Sequence, residues 1–225
     1  MNHRTLEGKA TLFAVLSMVA VLVGTVAELV PSMAAIGTTP TAVEGVTPYT
    51  PLEVAGRDIY VREGCYVCHS QWVRPFRSET LRYGPWSRGG EYIYDRPFQL
   101  GSRRIGPDLH RVGGKYPDAW HYEHMRDPRS VSAGSVMPGY PWLTEWSWDP
   151  ADVQASVVAL KRVGTPYSDA EVASVGEASM AQATEITGRL ASQGIDTTAD
   201  KEIVALIAYL QRLGIDGRAA LKEAK

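Results

Sequence analysis

The run Cys65-Tyr66-Val67-Cys68-His69 decides how this chain is read. Two thiols separated by two residues, with a histidine directly after the second, form the C-x-x-C-H attachment signature of a c-type haem. Each thiol can add to one vinyl group of the porphyrin, and the adjacent imidazole lands under the iron as its proximal ligand. The chain has 2 cysteines, both in this motif. A structural zinc site needs four N/S ligands and therefore a second C-x-x-C, which is absent from the sequence. A thioredoxin-like redox pair follows a strand in a βαβ pattern, whereas this pair follows a helical one. Cys65 and Cys68 are therefore expected to hold one covalent haem c, with His69 on the iron.

Upstream, Thr50-Pro51-Leu52-Glu53 combines an N-cap threonine, a proline at the first helical position and a glutamate three residues after the cap. Leu52, Gly56, Ile59 and Tyr60 recur at helical spacing, and Gly56 offers a place for a second helix to cross closely. A short amphipathic helix thus delivers the chain to Cys65.

Further out, Ala10 to Ala27 is a stretch of 18 residues without a charge, and after Glu28 no charge appears until Glu44. About 20 apolar residues span a bilayer, so residues 10–31 read as a transmembrane anchor. A cleavable signal peptide competes, and Ser32-Met33-Ala34 resembles a cleavage site. The apolar run exceeds the 7–15 residues of a signal-peptide core, however, and Glu7 is out of place in its leading segment. Arg4 and Lys9 put residues 1–9 on the cytoplasmic side by the positive-inside rule, and everything after the span outside, which in a bacterium is the periplasm. Residues 32–49 read as a tether, 50–214 as the haem domain and 215–225 as a C-terminal tail. Glu28 either reaches the headgroups or faces a membrane partner. A net charge of −2 argues against a nucleic-acid partner.

An electron-transfer haem needs a sixth iron ligand, and a methionine thioether raises its potential. Met18 and Met33 belong to the anchor region, Met125 to a helical stretch ending at Asp127-Pro128, and Met180 to an alanine-rich helix. Met137 sits in Ser135-Val136-Met137-Pro138-Gly139-Tyr140, an irregular loop able to aim a side chain at a fixed target, and is the expected ligand. His121 and His124, three apart on one helix face, leave a bis-histidine haem open, with a solvated or propionate-facing pair as the plainer reading. His110 reads as structural. With both axial positions filled, the site's chemistry is one-electron transfer, and the chain does not itself bind oxygen.

Residues 71–104 hold seven arginines, three acids and no lysine, among many aromatics. Arginine without lysine suggests planar pairing with carboxylates or propionates. The segment reads as a docking surface for a haem-bearing membrane subunit, with a simple haem-covering loop as the competitor. Asp149 to Gly164 reads as a helix, and Ser168-Asp169-Ala170-Glu171 as a capping box opening a longer one that ends near Gly194. Thr197 to Asp200 is expected to cap the last helix, whose Ile203, Leu206, Ile207, Leu210 and Leu213 form one apolar stripe, with Gly214 just past its end.

The order of capped helix, C-x-x-C-H, Gly-Pro-x-Leu, helix ending in Asp-Pro, Met-Pro loop and terminal apolar helix resembles class I cytochrome c. More narrowly, residues 65–75, 101–109 and 135–142 resemble the mono-haem subunit II (CcoO/FixO) of cbb3-type cytochrome c oxidases. The resemblance runs from the anchor to about residue 163 and over the last helix, leaving 164–196 unmatched. It implies a mainly α protein, one N-terminal transmembrane helix followed by a class I cytochrome c domain with insertions at about 71–104 and 150–196. It also implies that Pro107 accepts a hydrogen bond from His69 and that Ser102 approaches a calcium ion near the partner's haem propionates. Electrons would come from a di-haem cytochrome c subunit or a soluble cytochrome c. They would pass to a haem–copper catalytic membrane subunit that reduces oxygen to water with proton pumping. The cytochrome c subunit of nitric oxide reductase, which lacks the Arg-rich insertion, and a free membrane-anchored cytochrome shuttle are the alternatives.

Overall fold

A computed structural model of the chain describes residues 3–34, 42–216 and 218. Residues 35–41 of the expected tether and most of the C-terminal tail (217 and 219–225) lie outside the described residues. Two compact units divide after Thr41.

The first unit holds α1 (His3–Glu7) and α2 (Ala10–Ala34). Within α2, Ala10–Pro31 is 22 residues long with none of its span buried, long and apolar enough to cross a membrane. At about 1.5 Å per residue it reaches about 33 Å, which matches a hydrocarbon core of about 30 Å. The helix continues three residues beyond the expected anchor end, through Pro31 to Ala34. A proline in the last turn removes only one backbone donor there.

The second unit is helical throughout, and no strand occurs among its described residues. Its helices are α3 (Pro51–Arg62), α4 (Cys65–Cys68), α5 (Arg77–Tyr83), α6 (Asp118–Arg126), α7 (Pro128–Val131), α8 (Pro150–Arg162), α9 (Asp169–Ala173), α10 (Val175–Ser192) and α11 (Glu202–Arg212). Short 3-10 turns lie at Gly89–Tyr92 and Pro141–Thr144. The start of α3 follows the sequence reading. Thr50 accepts from the Glu53 N–H while Glu53 accepts from the Thr50 N–H at 2.8 Å.

The crossing of α3 and α11 is the centre of the fold. A Cβ built on Gly56 would lie 2.0 Å from the Ala205 carbonyl oxygen, so the two backbones touch and only glycine fits. The Tyr60 and Tyr209 rings complete this contact at 5.3 Å between centroids. Helix α11 is not the one-sided stripe its pattern suggests: Glu202 to Leu210 are all buried. Helices α3, α6 and α10 and the 142 turn surround it, and a helix enclosed on all sides has no polar face to present. Its cap also differs. Lys201 takes the N-cap position without a side-chain bond. The Asp200 carboxylate is engaged by the Ser147 and Thr198 hydroxyls instead.

The stretch 150–196 is core rather than an appendage. Val153, Val157 and Leu160 of α8 and Ala183, Ile186 and Leu190 of α10 are buried in the same cluster as α3 and α11. The Ser168 capping box forms as read, but it opens only α9. Ser174 ends that helix, its hydroxyl donating to the Ala170 carbonyl at 3.0 Å, a local bond that competes with helix continuation. The buried Arg57–Asp95 pair, 2.8 Å apart, ties α3 to the end of the Arg-rich segment.

Candidate functional site

Helix α3 ends at Arg62 with Glu63 as its C-cap, and Gly64 takes a left-handed φ of 70° that turns the chain directly into the single turn of α4. Both thiols therefore sit on one turn, free and half-buried. Burial pushes the Cys65 thiol up to about 12, so it is a thiol and not a thiolate at neutral pH.

His69 leaves α4 in an extended conformation, and its Nδ1 lies 2.8 Å from the Pro107 carbonyl oxygen. A carbonyl only accepts, so Nδ1 carries the proton and Nε2 is left with its lone pair. Burial also lowers the His69 pKa, against the opposing pull of the Pro107 bond and of Asp108, which favours the neutral ring a metal needs. The Gly106 N–H donates to the Cys68 carbonyl at 3.0 Å and the Leu109 N–H to the Ser70 carbonyl at 2.9 Å, clamping the Gly-Pro segment alongside the motif. A Cβ on Gly106 would meet His69 Cε1 at 2.2 Å, so the imidazole is seated against bare backbone.

Met137 is half-buried and packs against the edge of the core from its loop. The loop is fixed to the end of α6: the Tyr140 N–H donates to the Met125 carbonyl at 2.7 Å, and a Cβ on Gly139 would come within 2.8 Å of the Arg126 carbonyl oxygen. Met125 itself is buried in the core, and Met180 faces outward from α10.

The two histidines of α6 are not a solvated pair. His121 is 1 % exposed with neither ring nitrogen hydrogen-bonded, and His124 Nδ1 is buried without a partner. Trp120 explains the burial, stacking on His124 at 4.5 Å and on Tyr116 at 4.0 Å. Trp120 and His124, four apart on α6, share a helix face, and Tyr116, just before the Pro117 N-cap, covers the other side of the indole. His110 is structural as expected, held between Glu91, Gln71 and Tyr92.

Six of the seven arginines of 71–104 divide into two groups, and the seventh, Arg88, is half-buried with its guanidinium 5.5 Å from the centre of the Trp86 ring. Arg104 turns inward: it donates to the Ser70 hydroxyl and the Trp72 carbonyl, each at 2.6 Å, and pairs with Glu79 and Asp108. Arg74 also pairs with Glu79. Hydrogen bonds from Arg104 and then Arg74 hold the Glu79 carboxyl down at about 2. Arg77, Arg82, Arg96 and Arg103 are exposed and have no acidic partner among the described residues. Arg82 and Arg104 both lie over the Tyr83 ring, 5.1 and 5.2 Å from its centroid. With Arg74 they line an open cleft of about 390 Å³ whose far wall is Gly106-Pro107, the segment that holds His69. Ser102 is exposed, and among the described residues no group of three His, Cys, Asp or Glu side chains could hold a cation.

The donor set fits a c-type haem. Two free thiols share one turn, an oriented neutral imidazole stands beside them on a glycine seat, and buried unpartnered histidine nitrogens lie on the helix that carries the Met137 loop. A family model described as cytochrome c oxidase, mono-heme subunit/FixO, matches residues 3–216. The chain belongs to that family. No curated protein matches it by sequence. FixO membership makes the chain the haem-bearing, non-catalytic subunit of an oxidoreductase complex, with a catalytic subunit as its partner. The FixO match also covers 164–196, the stretch that the motif resemblance left unmatched, in keeping with the burial of α10 in the domain core.

Proposed function

We propose that this FixO-family chain is the electron relay of its oxidase, carrying one covalent haem c through Cys65 and Cys68 with His69 and Met137 as axial ligands. The observation that carries the reading is the His69–Pro107 bond. It protonates Nδ1 and frees Nε2 one residue from the second of two free thiols. When bound, the haem supplies reversible one-electron chemistry. The chain does the rest: Pro107 fixes the ring and keeps it basic, Gly106 gives it room, and the α6-anchored loop presents the Met137 thioether, whose soft sulfur favours the ferrous state.

The haem domain is periplasmic in this reading, supported by Arg4 and Lys9 before the span. Electrons arrive from a di-haem cytochrome c subunit or a soluble cytochrome c and leave for the haem–copper catalytic subunit, which reduces oxygen with proton pumping. The free cations Arg77, Arg82, Arg96 and Arg103 and the Arg-lined cleft support docking on carboxylates or propionates of that partner. Calcium takes six to eight oxygens. One exposed Ser102 hydroxyl supplies a small share, so any calcium here is completed by the partner.

The test is a denaturing gel stained for haem together with optical spectra of the detergent-solubilised complex. Wild type retains a stained band that the Cys65→Ala, Cys68→Ala double variant loses. Met137→His keeps the stain, loses the methionine–iron charge-transfer band and has a lower potential. A stained double variant, or an intact methionine band in Met137→His, overturns the assignment.

A further inference from the structure

The open cleft beside Pro107 holds more positive charge than the fold itself uses. Three guanidinium groups converge there. Arg74 and Arg104 both pair with the Glu79 carboxylate, the Arg104 contact at 2.7 Å, while Arg82 and Arg104 stand 5.1 and 5.2 Å from the centre of one ring, Tyr83. Glu79 is buried, and each of its oxygens is engaged by both Arg74 and Arg104. Asp108, the other acid that Arg104 reaches, lies 3.3 Å from it with no exposed side-chain surface. Three cations thus meet two buried carboxylates, and the unmatched charge is Arg82. It is exposed and pairs with no acid among the described residues. Ser78, four residues earlier on α5, shares its helix face, and both residues line the cleft of about 390 Å³. Opposite them is Gly106-Pro107, whose proline carbonyl accepts from His69 Nδ1 at 2.8 Å. One thickness of backbone therefore separates the cleft from the imidazole.

We propose that this cleft is an oxyanion receptor: it takes one oxyanion on the Arg82 fork, with Arg74 and the Ser78 hydroxyl beside it, and the bound charge lowers the potential of the haem at His69. The inference deepens the docking reading above, and its redox half rests on the haem assignment. A planar guanidinium matches two oxygens of a carboxylate or phosphate at once, and one that lies over an aromatic ring keeps its N–H edge free for that bond. A concave site lined by one sign of charge focuses the field on such a group. A negative charge near the iron favours the ferric state, and the Gly106-Pro107 wall is thinner than a Debye length of about 8–10 Å, so salt screens the effect only in part. A carboxylate of the catalytic subunit and a free anion carry the same chemistry, and assembly of the complex distinguishes the two sources.

The experiment titrates inorganic phosphate into the detergent-solubilised full chain, alone and in its complex, with ionic strength held constant by sodium chloride. Heat of binding and haem potential are read together, and a haem-stained gel and thermal melt accompany each variant. The chain alone is expected to bind one phosphate saturably, and its potential to fall as the site fills. Arg82→Ala is expected to keep the melting temperature, weaken binding about tenfold or more, as loss of a charge-assisted hydrogen bond implies, and remove most of the shift in potential. Arg82→Lys should recover part of both. Arg96→Ala, which removes the same charge from outside the cleft, should change neither. In the complex, a lost phosphate response assigns the site to a carboxylate of the partner, and a retained response assigns it to a free oxyanion. A response that follows ionic strength alone, equal weakening by Arg82→Ala and Arg96→Ala, or saturable binding with no change in potential each overturns the inference. Saturable binding by a chain without stainable haem overturns the haem assignment and leaves the receptor standing.

Discussion

Replacing Gly106 by alanine tests the seat of His69 with a single methyl group. The new Cβ would stand 2.2 Å from Cε1, 2.7 Å from Nδ1 and 2.8 Å from Nε2 of the imidazole. Ordinary contact begins near 3.4 Å, so going from 2.2 to 3.4 Å requires the ring to retreat by about 1.2 Å. That is enough to break a 2.8 Å bond between Nδ1 and the Pro107 carbonyl. Overpacking of this kind costs about 1–3 kcal/mol, and the lost hydrogen bond adds about 1 kcal/mol. The variant should thus be about 2–4 kcal/mol less stable. Without the carbonyl acceptor the imidazole is a poorer electron donor to iron, so the haem potential should rise. The control is Gly56→Ala, whose Cβ would meet the Ala205 carbonyl at 2.0 Å, at the α3–α11 crossing. It should lower stability by a similar amount and leave the potential unchanged in the folded fraction. Thermal melts and potentiometric titration of both variants decide the matter. A Gly106→Ala protein with wild-type potential and melting temperature would refute the reasoning.

Three further outcomes follow from the packing. Arg57→Met leaves the Asp95 carboxylate buried and uncompensated, so unfolding should become easier by about 3–5 kcal/mol in denaturant titrations, with partial recovery when Asp95→Leu is added. Burial, and to a lesser degree His124, holds His121 at about 4 against an ordinary value of 6.5, with Asp118 pulling the other way. The unfolded chain therefore binds the extra proton between these pH values. The corresponding stability is complete above pH 6.5 and lost as pH falls towards 4, about 3 kcal/mol in all, and melts of His121→Gln should lack this part of the acid sensitivity. Arg104→Ala should destabilise the haem domain itself, since Arg104 joins Ser70, Trp72, Glu79 and Asp108, whereas Arg77→Ala with Arg82→Ala should keep its melting temperature and lose co-purifying catalytic subunit. Equal melting temperatures for Arg104→Ala and wild type would show that Arg104 is a docking residue after all.

That contrast narrows the expectation that the whole Arg-rich segment 71–104 is a docking surface, since Arg104 already has its partners within the chain. Composition shows an arginine-rich segment but not which guanidinium groups already have partners, because the partners come from elsewhere in the chain. Glu79 lies 25 residues before Arg104, and Asp108 four after it. The same blindness explains the caps. Asp200 has the chemistry of an N-cap, and Ser147, 53 residues away, competes for its carboxylate.

What the sequence determines by itself is whatever a few neighbouring residues can enforce. The haem motif, the capping box of α3, the break at Gly64 and the apolar run of α2 each depend on short-range geometry, and each is legible without a fold. The glycine at position 56 was legible for the same reason, since an absent side chain allows only close approach. Burial on more than one side is different in kind, because it depends on how many elements surround a helix. The stripe on α11 was correct as far as it went, yet only the assembly of α3, α6 and α10 around it buried Glu202 to Leu210 entirely. The burial of His121 and of the His124 Nδ1 was decided the same way. Their i, i+3 spacing says that they share a face, and only packing puts that face inside the domain, where unpartnered imidazole nitrogens become costly to leave alone.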